Sequence, residues 1–185
     1  MTTRVLIPIA DGSEELEAVT LIDLLRRAGL DVTVASLSGE PVTCSRGVTL
    51  VPDTSLHEAI QSAYDAVVLP GGLPGADHLA ADQRLLDLLI SMDQQKALIG
   101  AICAAPRVLA RAGLLENRQA TSFPGVLEHE GLGPGLDQAV VRDGHVMTSR
   151  GPGTAMDFAL ALIEALAGPE KRSEVETPLQ RYPRQ

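Results

Sequence analysis

The stretch GAICAAP (100–106) places Cys103 between a short aliphatic run and the start of a helical pattern. A lone cysteine is ordinarily a small buried hydrophobe. Here its neighbours Gly100, Ala101, Ala104 and Ala105 are all small, as a tight strand-turn-helix elbow requires when it holds a nucleophile outward. A sulfur at such a corner faces the N-terminus of the next helix, and unpaired N–H groups there favour a thiolate. Three other points carry chemistry of a compatible kind. DGSEELEAV (11–19) offers Glu14, Glu15 and Glu17; Pro70-Gly71-Gly72 ends a second aliphatic run; SRGPGT (149–154) precedes the last strong helix with Arg150 as a cation. A partly buried carboxyl can donate or accept a proton. Glycines let backbone N–H groups approach an oxyanion. Each has a plainer reading: first-turn carboxylates complementing a helix dipole, a sharp turn, and a loop.

The elements needed to position these residues alternate along the chain. Aliphatic runs at 4–10, 31–38, 64–70 and 97–102 read as buried strands, and 47–53 as a shorter one. Helical periodicity covers SEELEAVTLIDLLRRAG with Gly29 as its stop, a brief stretch near 55–62, then 82–95, 104–112 and 154–168. The Gly- and Pro-rich region 118–136 predicts loops around a short strand. AVVRDGHVMTS (139–149) predicts a hairpin turning at Asp143-Gly144. Strands alternating with helices imply an α/β fold: a doubly wound, flavodoxin-like, mostly parallel sheet with helices on both faces. In such a sheet the ends of runs 4–10, 64–70 and 97–102 share one edge, where ligands sit. The 185 residues are expected to form one domain, 1–185.

Composition narrows the chemistry. A net charge of −9 and an aromatic content of 2% leave neither clustered cations for phosphates nor a stacking platform for bases, so no specific nucleic-acid binding is expected. Two cysteines, Cys44 and Cys103, suit a reducing cytosol. The opening MTTRVLIPIADGSEE holds an apolar run too short for a signal peptide or membrane span, so a cytoplasmic protein without membrane association is expected. No Gly-x-Gly-x-x-Gly follows the first strand, and no Walker loop is present. His57, His78, His129 and His145 are scattered without metal-ligand spacing and read as surface residues. No cofactor or metal is expected. Cys44, in VTCSRG, reads as structural.

The acidic cluster is not resolved by periodicity. At about 100° per residue, Glu14 falls near the middle of the first helix's apolar stripe and Glu15 at its edge. That helix is apolar over much of its circumference, which allows one face to pack on the sheet and another on a partner subunit.

DGSEELEAV, TCSRGV, VVLPGG, GAICAAP and TSRGPGTAMDFALALIEAL, in this order over about residues 4–168, resemble the ThiJ/PfpI superfamily. The similarity is to the branch holding the Parkinson-disease-associated protein (DJ-one) and bacterial YajL. The resemblance implies a homodimer whose nucleophile is Cys103, with Glu15 as the acidic residue beside it. It implies oxyanion contacts from Gly71, Gly72 and the N–H of Ala104, and Arg27, Arg46 and Arg150 near the pocket or the subunit contact. Two departures matter: Ala104 replaces the histidine that follows the nucleophile in protease-like members, and Phe123 stands where some members carry a pocket histidine. Peptidase activity is therefore discounted. The resemblance implies glyoxalase or deglycase chemistry on methylglyoxal-like dicarbonyls or their adducts in carbonyl and oxidative stress defence. Its alternative is an oxidation-sensing stress protein or chaperone without turnover.

Overall fold

The computed structural model describes residues 2–181; Tyr182 lies outside them. In chain order its elements are β1 (Arg4–Ile9), α1 (Glu15–Arg27), β2 (Asp31–Ser36), β3 (Val42–Thr43), β4 (Thr49–Leu50), β5 (Thr54–Ser55) and α2 (Leu56–Ala59). There follow β6 (Ala66–Leu69), α3 (Gly75–Ala81), α4 (Gln83–Gln94), β7 (Leu98–Ile102), α5 (Pro106–Arg111) and α6 (Val126–His129). The last are β8 (Val140–Asp143), β9 (Val146–Ser149), α7 (Ala155–Ala167) and α8 (Pro169–Glu176).

Seven strands form one sheet in the order β5-β2-β1-β6-β7-β9-β8. All neighbours are parallel except β8 and β9, the hairpin at Asp143-Gly144. This is the flavodoxin-like, mostly parallel sheet. Buried strands alternate their side chains between two apolar layers. Val5, Ile7, Ile9, Val68 and Met147 pack with α1 and α7; Leu6, Val67, Leu69, Ile99 and Ala101 pack with α2 to α5. Gly100 completes the first layer: a Cβ there would stand 3.1 Å from Phe158 Cζ and 3.3 Å from Leu162 Cδ2, so α7 lies close against β7.

From β1 the chain runs outward one way to β2, and from β6 the other way to β7. The switch point is therefore the crevice between the carboxyl ends of β1 and β6. Two local expectations change, and two further helices appear. Of the run 47–53 only Thr49–Leu50 is strand: β4 pairs with β3 in a separate antiparallel hairpin, while β5, just beyond the run, joins the main sheet beside β2. The region 118–136 holds the helix α6 and no strand. A helix precedes 82–95, because Asp82 ends α3 and its side chain accepts a hydrogen bond from the Arg84 N–H to cap α4. The chain after 168 forms α8, beginning at Pro169, which suits a first helical position.

His145 is not a simple surface residue. Its Nε2 lies 2.7 Å from Asp93 Oδ1, which also accepts from Arg118 at 2.7 Å, so the triad ties α4 to the β8–β9 turn and to the loop after α5. Among the described residues no cluster of His, Cys, Asp and Glu could hold a metal ion, and no helix is long and apolar enough to cross a membrane.

Candidate active site

Cys103 follows β7 directly with φ +63°, the left-handed region a non-glycine residue enters at a cost of roughly 1–2 kcal/mol. Hydrogen bonds hold it there. Its N–H donates to Ser149 O (3.0 Å), and its carbonyl accepts from the Phe123 N–H (2.9 Å). The neighbouring strand end and the Phe123 loop thus fix both peptide groups of the elbow. Small residues around the turn are a steric need. A Cβ on Gly71 would lie 2.7 Å from Cys103 Cβ and 2.8 Å from both Ala104 N and Ile102 O. Cys103 as a whole is 9% exposed.

The three carboxylates at the start of α1 have separate tasks. Glu14 is the N-cap, its Oε2 accepting from the Glu17 N–H at 2.7 Å. Glu15 turns away from the cysteine to accept from Ser45 Oγ (3.0 Å) and the Arg46 N–H (2.9 Å), pinning the turn of the β3–β4 hairpin. Burial opposes its ionisation, but hydrogen bonds from its own backbone, Ser45, Val48 and Arg46 outweigh that and hold the carboxyl below its ordinary range. Glu17, fully buried, is the residue beside Cys103. The expectation that Glu15 lies beside the nucleophile is thus corrected. The core stripe of α1 runs through Glu17, Ala18, Leu21, Leu24 and Leu25, while Leu16 and Val19 stay exposed on another face. Averaging both apolar faces turns the apparent stripe toward Glu14 and Glu15. The spacing 17, 21, 24 fits the buried stripe, but a second apolar face keeps it from singling out that carboxyl on its own.

Glu17 Oε2 accepts from the Gly71 N–H at 2.8 Å. Oε1 is buried without a hydrogen bond of regular geometry, and the carboxyl's other hydrogen-bonding neighbour is the Cys103 thiol. Gly71 is therefore a clasp rather than an oxyanion donor. Its N–H is committed to Glu17 and its carbonyl accepts from the Glu14 N–H at 2.8 Å, joining the crevice loops. The Gly72 (φ +92°) and Ala104 N–H groups lie near enough to the Cys103 sulfur to favour its charged form. They are the donors available to a negative charge at that point.

Burial raises the Glu17 carboxyl to about 7; the Gly71 N–H and the thiol pull it down, and Glu14 adds to the rise. Burial also raises Cys103, to about 12, reinforced by the charge of an ionised Glu17 and the hydrogen bond to it, against the Gly72 and Ala104 N–H groups. A thiolate favoured simply by a helix terminus is therefore not what the elbow provides: it is closed to water and its neighbour is acidic. The pair acts as one unit that releases a first proton near neutrality and holds the second strongly. When Glu17 carries the retained proton, the charge opposing a thiolate is gone, and the Gly72 and Ala104 N–H groups remain to receive it. Cys44 is held up to about 11 by burial and by the charges of Glu15, Glu14 and Asp11, which keeps it a thiol.

Beside the elbow lies a groove of about 310 Å³ lined by Phe123, Pro124, Arg150, Gly151 and Pro152 among others, with Gly151 between it and the sulfur: a Cβ there would stand 3.9 Å from Cys103 Sγ. Arg150 pairs with Asp137 at its edge. The other two arginines lie elsewhere in the chain. Arg46 is exposed on the hairpin turn with its guanidinium on Ser45 O, and Arg27 pairs with Asp23 at the far end of α1 from the elbow.

The sequence matches the DJ-1/PfpI family over residues 3–165. The chain belongs to that family. It is 46% identical over 184 residues to protein dj-1beta of Drosophila melanogaster, covering 95% of each chain. The crystal structure of that fly DJ-1beta superposes with a TM-score of 0.94 over 99% of this chain and 100% of that one, at 44% identity. A Caenorhabditis elegans relative named glutathione-independent glyoxalase DJR-1.2 is 40% identical over 177 residues, 95% of this chain and 94% of its own. The DJ-1/PfpI family thus includes a glyoxalase-type enzyme, and in this member the fold brings Glu17 and Cys103 together.

Proposed function

We propose that this single-domain protein is a cofactor-independent glyoxalase acting on methylglyoxal-like dicarbonyls. The observation that carries the reading is the Glu17 carboxyl, titrating near neutrality, against a cysteine on a positive-φ elbow. A general acid–base is most effective when its pKa lies near the working pH.

Sγ of Cys103 adds to the aldehyde carbon as its proton is shared with Glu17, giving a hemithioacetal whose oxygen receives the Gly72 and Ala104 N–H groups. Glu17 then removes the hydrogen on that carbon and returns a proton to the adjacent carbonyl carbon. This converts the hemithioacetal into a thioester and the ketone into an alcohol. Water hydrolyses the thioester to lactate and restores the thiol. One carbon is oxidised and its neighbour reduced, so no external redox partner is needed. Arg150 is placed to hold the product carboxylate. Its present partner, Asp137, is 95% exposed, and such a pair is held only weakly. Deglycation of dicarbonyl adducts would use the same thiol and donors. Without a second base following Cys103, peptidase chemistry is not proposed.

The same site supports a second reading, an oxidation sensor with stress-protein or chaperone behaviour. A sulfinate formed on Cys103 by two equivalents of peroxide would accept hydrogen bonds from the Gly72 and Ala104 N–H groups and from the protonated Glu17 carboxyl. We also assign the exposed apolar face formed by Leu16, Val19, Val48 and Val51 to a homodimer contact, where Arg27 and Arg46 of one protomer would approach the other. A cytoplasmic location fits the two unpaired thiols.

The deciding experiment incubates reduced protein with methylglyoxal, without glutathione, and quantifies lactate. Lactate formed repeatedly per protein, lost in Cys103→Ser and Glu17→Gln but retained in Glu15→Gln, is the expected result. No lactate above buffer would reject the glyoxalase reading and favour the sensor.

A further inference from the structure

Phe123 is a large apolar residue left 51% exposed, although its backbone is fixed by the hydrogen bond to the Cys103 carbonyl. Its position next to the sulfur is defined through Gly151. A Cβ built on that glycine would stand 3.5 Å from Phe123 Cδ2 and 3.9 Å from Cys103 Sγ. The ring edge and the nucleophile therefore flank the same glycine, with the prolines Pro124 and Pro152 lining the groove around them. Any side chain at 151 would fill the space between ring and thiol. The groove of about 310 Å³ has room for about ten water-sized groups, well beyond the five heavy atoms of methylglyoxal. A bare methyl group would leave the ring and the prolines in contact with water.

We infer that Phe123 makes this a site for oxoaldehydes bearing an aromatic side group, which lies along the Phe123 ring while the aldehyde carbon meets Cys103. The inference deepens the glyoxalase reading and rests on it for the reacting carbonyl. Phe123 is here a specificity-determining residue: a flat apolar group gains offset or edge-on ring contact and leaves water, neither of which a methyl group can match.

The test reads bond formation at sulfur separately from turnover. Cys103 of the reduced, full-length protein is alkylated by phenacyl chloride or by chloroacetone, which share the reacting CH2Cl and differ in a phenyl or methyl group. In each, the S–C bond forms as the C–Cl bond breaks, chloride leaves, and the thiol proton passes to Glu17 or buffer. Rates are corrected with Cys103→Ser and divided by those of glutathione with the same reagent. The phenyl reagent should be favoured roughly 10-fold. Phe123→Ala should bring that preference to within about twofold of glutathione's, and Phe123→Leu should retain only part of it. A normalised preference near one in the native protein, or one unaltered by Phe123→Ala, would overturn the inference. Phenylglyoxal and methylglyoxal are then compared by mandelate and lactate formed. If neither product appears, the glyoxalase reading fails while the alkylation ratio still decides the role of Phe123.

Discussion

Replacing Glu17 by Gln should make the protein more stable at alkaline pH while removing its proposed acid–base. The carboxyl's ordinary value is 4.5, and burial raises it to about 7 in the folded chain. Below 4.5 it is protonated folded and unfolded, so it costs nothing. Between 4.5 and about 7 the unfolded chain releases the proton and the folded chain keeps it, so native stability falls as pH rises. Above about 7 the loss is complete, at about 3 kcal/mol for 1.36 kcal/mol per pH unit. Glutamine does not titrate, and its Oε1 can still accept from the Gly71 N–H. The stability of Glu17→Gln relative to the native protein should therefore increase by about 2 kcal/mol between pH 5.5 and 8. Urea denaturation of both proteins, reduced and at one protein concentration, measures this directly. A difference that stays flat, or shrinks as pH rises, would refute the claim that a buried carboxyl is held protonated here at a cost to the fold.

Gly71→Ala should destabilise by roughly 1–3 kcal/mol and slow Cys103 alkylation, since its Cβ would stand 2.7 Å from Cys103 Cβ with backbone atoms close by. Denaturation midpoint and alkylation rate check it, and an unchanged elbow in both would contradict the packing. Glu15→Gln should speed hydrogen exchange at the Arg46 and Val48 amides, which the carboxylate now accepts from, and leave lactate formation in place. Because the Glu15 carboxyl is held low, its stabilisation is present above its unfolded value and is lost as pH falls through the folded one. The exchange difference between the two proteins should accordingly narrow in acid.

Much of this fold is written locally. Buried strands of a parallel sheet must be continuous aliphatic runs, so β1, β2, β6 and β7 stand out from their own residues, and Asp143-Gly144 marks its hairpin by turn chemistry. Once those strands are parallel, the ends of β1, β6 and β7 share an edge, which brings Cys103, Gly72 and the acidic cluster together by topology. The small residues around Cys103 signal the elbow because a positive-φ turn against a neighbouring loop excludes larger ones. Short pieces were harder to read: β3, β4 and β5 are two residues each, and their pairing depends on partners distant in sequence.

Tertiary structure decided which carboxyl meets the sulfur. Glu14, Glu15 and Glu17 are chemically alike, and α1 has two apolar faces, so helical phase alone gives an ambiguous direction. Packing of Ala18, Leu21 and Leu25 against the sheet buries Glu17, and the β3–β4 hairpin draws Glu15 away. The same packing committed the Gly71 N–H to Glu17 and left Gly72 and Ala104 for the sulfur. It also raised both members of the pair, because burial and mutual charge are properties of a folded neighbourhood. Residue types and spacing determined that a thiol, a carboxyl and a glycine turn would share one edge. Which atoms pair there, and where the proton rests, depend on distances that exist only after the chain has packed.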